Sequence, residues 1–129
     1  MHQNWDAQFL NTTTPNFSNQ LLKRFLENKL LTKKSTKFLY KTMVSTSVGQ
    51  NRIKAKLPTN TEVAHRTGSS FTNDAGLTGA INDIGIVKLP NGKYLIISIF
   101  VHNTTEKFKD GEEIIADITK ATWDNYTTK

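Results

Sequence analysis

Ile81-Asn82-Asp83-Ile84-Gly85-Ile86-Val87-Lys88-Leu89, then Pro90-Asn91-Gly92-Lys93, then Tyr94-Leu95-Ile96-Ile97-Ser98-Ile99-Phe100-Val101-His102 is the stretch that decides the fold. Two runs rich in β-branched residues flank an Asn-Gly pair, the strongest short-range signal for a β-hairpin. The second run is almost wholly apolar, so its strand is expected to be covered on both faces. Its longest apolar part, Tyr94 to Val101, contains Ser98. It falls far short of the roughly 18 residues that span a bilayer.

Upstream of the hairpin, Thr61 to Arg66 reads as a further strand. Gly68-Ser69-Ser70 through Gly76 and Gly79 reads as a loop. Before that come two helices. Thr14-Pro15 offers a hydroxyl N-cap and a proline at the first helical position, followed by Phe17, Leu21, Leu22, Phe25 and Leu26 on one stripe. A second helix starting near Thr32 or Ser35 turns Phe38, Leu39, Met43 and Val44 inward and stops at Gly49. Asn51 to Lys56 reads as one more short helical turn, ended by Pro58. After the hairpin, Asp110 with Glu113 three residues on reads as the cap of a last helix, with Ile114, Ile115, Ile118 and Ala121 facing inward. The first dozen residues read as irregular. There is no repeat or linker, so the expected class is α+β: an antiparallel three-stranded meander with flanking helices.

With 129 residues, 36% of them hydrophobic, the chain has material for one modest core. Cysteine is absent, which excludes disulfide scaffolds, thiolate metal sites and cysteine nucleophiles. The N-terminal residues carry no signal-peptide pattern. Seventeen basic against eleven acidic residues leave a net charge of +6. That surplus motivates a nucleic-acid-binding module as one reading, but only Arg24, Arg52 and Arg66 are arginines, the forks that read phosphate and guanine. The three histidines have no metal-ligand spacing. His65 reads as a hydrogen-bonded structural residue. No metal, cofactor or membrane association is expected.

Chemistry concentrates in Ala64-His65-Arg66-Thr67-Gly68-Ser69-Ser70. A cation, a hydroxyl and a glycine in succession at a strand end suit a carboxylate lying along the strand edge. This segment resembles the Lys-Thr-Gly box of class A serine β-lactamases, with arginine in place of lysine. Gly49-Gln50-Asn51-Arg52-Ile53-Lys54 with Leu57-Pro58, Asn82-Asp83-Ile84-Gly85 with Leu89-Pro90-Asn91-Gly92, and Ser98-Ile99-Phe100-Val101 with the last helix to Trp123 follow the family in order. Met1-His2, Trp5, Gln8 and Asn11 are similar to the omega-loop exit of its extended-spectrum VEB/PER-like branch.

The resemblance implies that residues 1–129 are the C-terminal part of a β-lactamase/transpeptidase-like α/β/α sandwich, beginning inside the omega loop. It implies a periplasmic or secreted, monomeric parent enzyme that opens β-lactam antibiotics through a serine acyl-enzyme and so confers resistance. Arg66, Thr67, Gly68 and Ser69 would bind the substrate, Thr67 and Ser69 through hydrogen bonds to its carboxylate. The Ser69 backbone N–H would be one of two oxyanion-hole donors. Ile81 stands where many members place a second carboxylate-binding arginine, which leaves that contact without an owner.

Ser-x-x-Lys occurs nowhere, and Ser-Asp-Asn is also missing. No nucleophile or general base can therefore be assigned within these residues, and the chain alone is expected to be inert. The alternatives are a penicillin-binding or D,D-peptidase relative, which would release penicillin slowly, and the basic nucleic-acid module. A sheet without its other strands is further expected to expose an unpaired edge and an apolar helix face.

Overall fold

The computed structural model describes residues 4–128. The order is a 3₁₀ turn Trp5–Phe9, α1 Pro15–Leu26, α2 Lys33–Val44, β1 Val63–Ser69, β2 Thr78–Lys88, β3 Tyr94–Thr104 and α3 Phe108–Thr127. The three strands form one antiparallel sheet in the order β1-β2-β3. Helices α1 and α2 lie on one face and α3 on the other. The result is an α/β/α layering of an α+β meander, as the sequence reading expects.

Local chemistry sets most boundaries. Thr14 caps α1 by accepting the Phe17 N–H, with Pro15 at the first position. Thr32 caps α2 through the Ser35 N–H. The hairpin closes through the Gly92 N–H to the Leu89 carbonyl, with Gly92 at φ +80°, a conformation that needs no Cβ. The strand alternation then divides the core. Ala64 and Ile86 pack with Leu22 and Phe25 beneath α1. Val63, Ile81, Val87, Ile97 and Ile99 pack with Ile115 and Trp123 of α3. Each fully buried isoleucine contributes about 1.5–3 kcal/mol. β3 is covered from both faces, since α1 and α3 each pack on it.

Several expectations are corrected. β1 continues through Gly68 and Ser69, and β2 begins at Thr78, because Gly68 pairs with Asn82 and Ser69 with Ile81. Cross-strand pairing outweighs the loop preference of Gly and Ser. α2 stops at Val44 on a Ser45 cap, and Gly49 sits in the following turns at φ +75°. Residues 48–56 run as consecutive turns, with Arg52 N–H to Gly49 carbonyl and Ala55 N–H to Arg52 carbonyl. α3 starts at Phe108 with Lys107 at the cap, so Asp110 lies in its first turn, where its charge suits the helix dipole. The opening residues contain the Trp5–Phe9 turn, whereas Met1 and His2 lie outside the described residues.

The helix faces are also corrected. In α2, Phe38 is 74% exposed and Leu39 40%, and in α3, Ile114 and Ile118 are 42% and 45% exposed. Ala121 is exposed as well. Ile115 is buried as expected, and the rest of the buried side of α3 is Gly111, Ala116, Thr119 and Trp123. The expected apolar helix face is thus present on the surface. Among the described residues no helix is long and apolar enough to cross a membrane.

Candidate functional site

The site forms at the far end of β1. Two backbone bonds of the same phase bracket the β1–β2 ladder: Lys88 N–H to the Glu62 carbonyl and Ser70 N–H to the Ala80 carbonyl. Antiparallel ladders alternate, so Ala64, Arg66, Gly68 and Ser70 turn their backbone groups toward β2. Thr67 and Ser69 turn theirs outward, off the edge that no other strand covers. The Ser69 N–H therefore points from β1 into open space.

Side chains alternate in the opposite sense. Arg66 is exposed, on the α1/α2 face, and its side chain makes no hydrogen bond or ion pair among the described residues. Thr67 and Ser69 are on the α3 face. The Arg66 guanidinium and the two hydroxyls thus flank the open edge from opposite sides and can converge only on a group lying along it. Gly68 leaves the strand bare at that point, with nothing within 4 Å of where a Cβ would stand.

Arg52 is the residue that sequence reasoning missed. It is only 4% exposed. Its Nη2 donates to Ser69 Oγ at 2.6 Å, its Nη1 to the Gly68 and Asn82 carbonyls at 3.0 and 2.7 Å, and its Nε to Glu112 Oε1 at 3.1 Å. The ring of Phe108 stacks 5.6 Å from the guanidinium carbon. Glu112 supplies the counter-charge that makes the burial tolerable. Two members of the basic cluster Arg52-Lys54-Lys56 are in fact tied to α3, since Lys56 pairs with Glu113 and Asp117. These hydrogen bonds hold the Lys56 ammonium above its ordinary pKa, Asp117 more strongly than Glu113. The available signal was that Arg52 is one of three arginines among many lysines and precedes an isoleucine.

Behind the edge, Asp83 and His65 are fully buried, with His65 Nδ1 2.9 Å from Asp83 Oδ2 and 3.1 Å from Oδ1. The same Oδ2 accepts the Ile53 N–H at 3.2 Å. His65 is therefore structural here, as its sequence context suggested. Across the end of the sheet lies a cleft of about 790 Å³ lined by Gly68, Ser69 and Ser70, by Asn82 of β2 and Phe100 of β3, and by Gln8 and Asn11 among others. The Trp5–Phe9 turn is pinned there edge-on, Trp5 against Phe71 and Phe9 against His102. Arg66 and Thr67 lie outside this cleft. Among the described residues, no three His, Asp or Glu side chains gather as a metal site.

A three-stranded antiparallel sheet layered between helices matches the fold of a class A β-lactamase from Bacteroides cellulosilyticus, with a TM-score of 0.88 at 35% identity, over 91% of this chain and 42% of that one. The chain belongs to the β-lactamase enzyme family, whose model matches residues 2–126. The β-lactamase VEB-1 of Pseudomonas aeruginosa is 46% identical over 131 residues, covering 100% of this chain and 44% of that protein. The extended-spectrum β-lactamase PER-1 of the same organism is 37% identical, over 95% of this chain and 40% of its own. The crystal structure of the TLA-1 extended-spectrum β-lactamase matches with a TM-score of 0.95 at 49% identity, over 98% of this chain and 46% of that one. The chain spans less than half the length of these relatives.

Proposed function

We propose that residues 1–129 are the C-terminal part of a class A β-lactamase domain and supply the substrate-binding edge of a periplasmic or secreted β-lactam hydrolase. The observation that carries this reading is the outward Ser69 N–H on an open strand edge, flanked by Arg66 and by an Arg52-bound hydroxyl.

The chemistry follows from those groups. A β-lactam lying along β1 brings its carboxylate between the two cations. A hydroxyl has one hydrogen and two lone pairs. Arg52 occupies a lone pair of Ser69 Oγ, which leaves the Ser69 O–H to donate to the substrate, polarised by the adjacent charge. Arg52 in this way fills the contact that Ile81 leaves vacant. Thr67 offers a second hydroxyl and Arg66 an unpaired fork, permanently charged. The Ser69 N–H then receives the lactam carbonyl oxygen as it becomes an oxyanion. Such a donor is worth about 2.7–4 kcal/mol of transition-state stabilisation.

The acylating serine and the group that activates the deacylating water come from outside these residues, so the chain by itself binds without turnover. The test is hydrolysis of a chromogenic cephalosporin, by the 129-residue chain and by the chain joined to the upstream part of VEB-1. The joined enzyme is expected to hydrolyse it and the chain alone not. A joined enzyme that folds without activity would refute the reading.

A further inference from the structure

We propose that Asp83, held by His65, is a positioning residue that keeps Arg52 on Ser69; the proposal rests on the β-lactam reading above. Residues 48–57 have no helix or strand ladder to place them. Arg52 must nevertheless reach four acceptors at once, three of them on or beside the site strand. Among the described residues, the one buried side-chain hydrogen bond to the backbone of this segment is that of Asp83 Oδ2 with the Ile53 N–H, immediately after Arg52.

Asp83 is well suited to that task. It sits in mid-sheet, opposite Thr67 in the ladder, so it references the turn segment directly to the site strand. A buried carboxylate is costly unless its oxygens are occupied, and here the Ile53 N–H and His65 Nδ1 occupy them. The His65 Nδ1 contact is the ring's one polar contact, since the buried Nε2 has no partner among the described residues. The imidazole thus faces one polar partner, the carboxylate. The turn also presses close to the ring: a Cβ on Gly49 would stand 3.3 Å from His65 Cε1 and would clash with Thr67 Cγ2. With the Ile53 amide released, the turn loses its register against β1, and a displacement of about 1 Å at such a site can lower a rate by about 100-fold.

A double-mutant cycle in the enzyme joined to the VEB-1 upstream part, with a chromogenic cephalosporin, tests this. Asp83→Asn is expected to raise KM about tenfold with a smaller fall in kcat, and to change KM less than about twofold once Arg52→Ala is present. Equal effects in the two backgrounds would overturn the proposal, because a merely structural aspartate weakens both alike. Should Asp83→Asn not fold, His65 answers the same question. His65→Gln, which keeps a donor for the carboxylate, is expected to retain the parental KM, and His65→Leu to raise it. The reverse order, or equal values, would overturn the proposal. An inactive parental joined enzyme would instead refute the functional reading itself.

Discussion

Arg52 Nη2 lies 2.6 Å from Ser69 Oγ, so a guanidinium from the turns before β1 is bonded to a hydroxyl on the site strand seventeen positions later. This bond makes the site electrostatically continuous with α3, since the same guanidinium donates to Glu112. It also explains how the strand is served by an arginine although Ile81 occupies the neighbouring strand position.

Ser69→Ala removes the hydroxyl but keeps the backbone N–H. Loss of a hydrogen bond to a charged group is worth about 1.5–3 kcal/mol, so KM for a carboxylate-bearing cephalosporin should rise at least about tenfold. kcat should change much less. Steady-state kinetics on the enzyme joined to the VEB-1 upstream part measure both.

Gly49→Ala places a methyl 2.2 Å from Thr67 Cγ2 at a φ of +75°. Strain at a left-handed position and overpacking each cost about 1–3 kcal/mol. The melting temperature should fall by several degrees, and KM should rise because Thr67 is displaced.

Gly111→Ala is instructive in combination. Its Cβ would meet Ile81 Cδ1 at 2.5 Å, since α3 crosses β2 there. The single change should lower stability by about 1–3 kcal/mol. Ile81→Val removes the offending methyl, and the pair should recover part of the loss because alanine is about 1 kcal/mol better than glycine inside a helix. Thermal denaturation of the two single variants and the double variant shows whether the costs are non-additive, as contact requires.

Tyr40 gives a pH prediction. Burial first, then the hydrogen bond its hydroxyl donates to Glu62 at 2.9 Å, raise its pKa well above the usual 10.0. The folded state therefore holds this proton to higher pH than the unfolded chain. The stabilisation is fully present below about pH 10 and is lost as pH rises through the folded-state value. Tyr40→Phe should flatten the alkaline part of the stability curve at a neutral-pH cost of about 1.5 kcal/mol, the low end for a bond to a charged group because Glu62 is exposed. Urea unfolding at a series of pH values measures the slope.

The surface of α3 yields a last expectation. Ile114 and Ile118 are exposed one turn apart, and β3 presents an unpaired edge. The isolated chain should self-associate, and Ile114→Lys with Ile118→Glu should raise its solubility. Sedimentation of the two forms at equal concentration makes the comparison.

What was legible in the sequence is what local chemistry controls. The Thr14-Pro15 start and the Asn91-Gly92 hairpin are legible because each depends on residues within a few positions, whereas the choice of Thr32 over Ser35 as the start of α2 came from the structure. The Arg66-Thr67-Gly68-Ser69 segment stands out in the sequence through its resemblance to a known box, and its role in binding stays a proposal. The faces of α2 and α3 were misread at Phe38, Leu39, Ile114, Ile118 and Ala121 because an apolar stripe says that a face is apolar, not what covers it.

The sequence by itself determined the order of elements, the α+β class and the family, and it singled out the strand proposed to carry the site. Only the tertiary structure decided that β1 runs on through Gly68 and Ser69, that the Ser69 N–H faces outward, and that Arg52 rather than a β2 residue reaches the Ser69 hydroxyl. The reason is physical. Strand extent and the direction of each amide are fixed by ladder phase, and a buried arginine is fixed by acceptors that lie sixteen, seventeen, thirty and sixty residues away in sequence. Neither leaves a mark in any short window of residues.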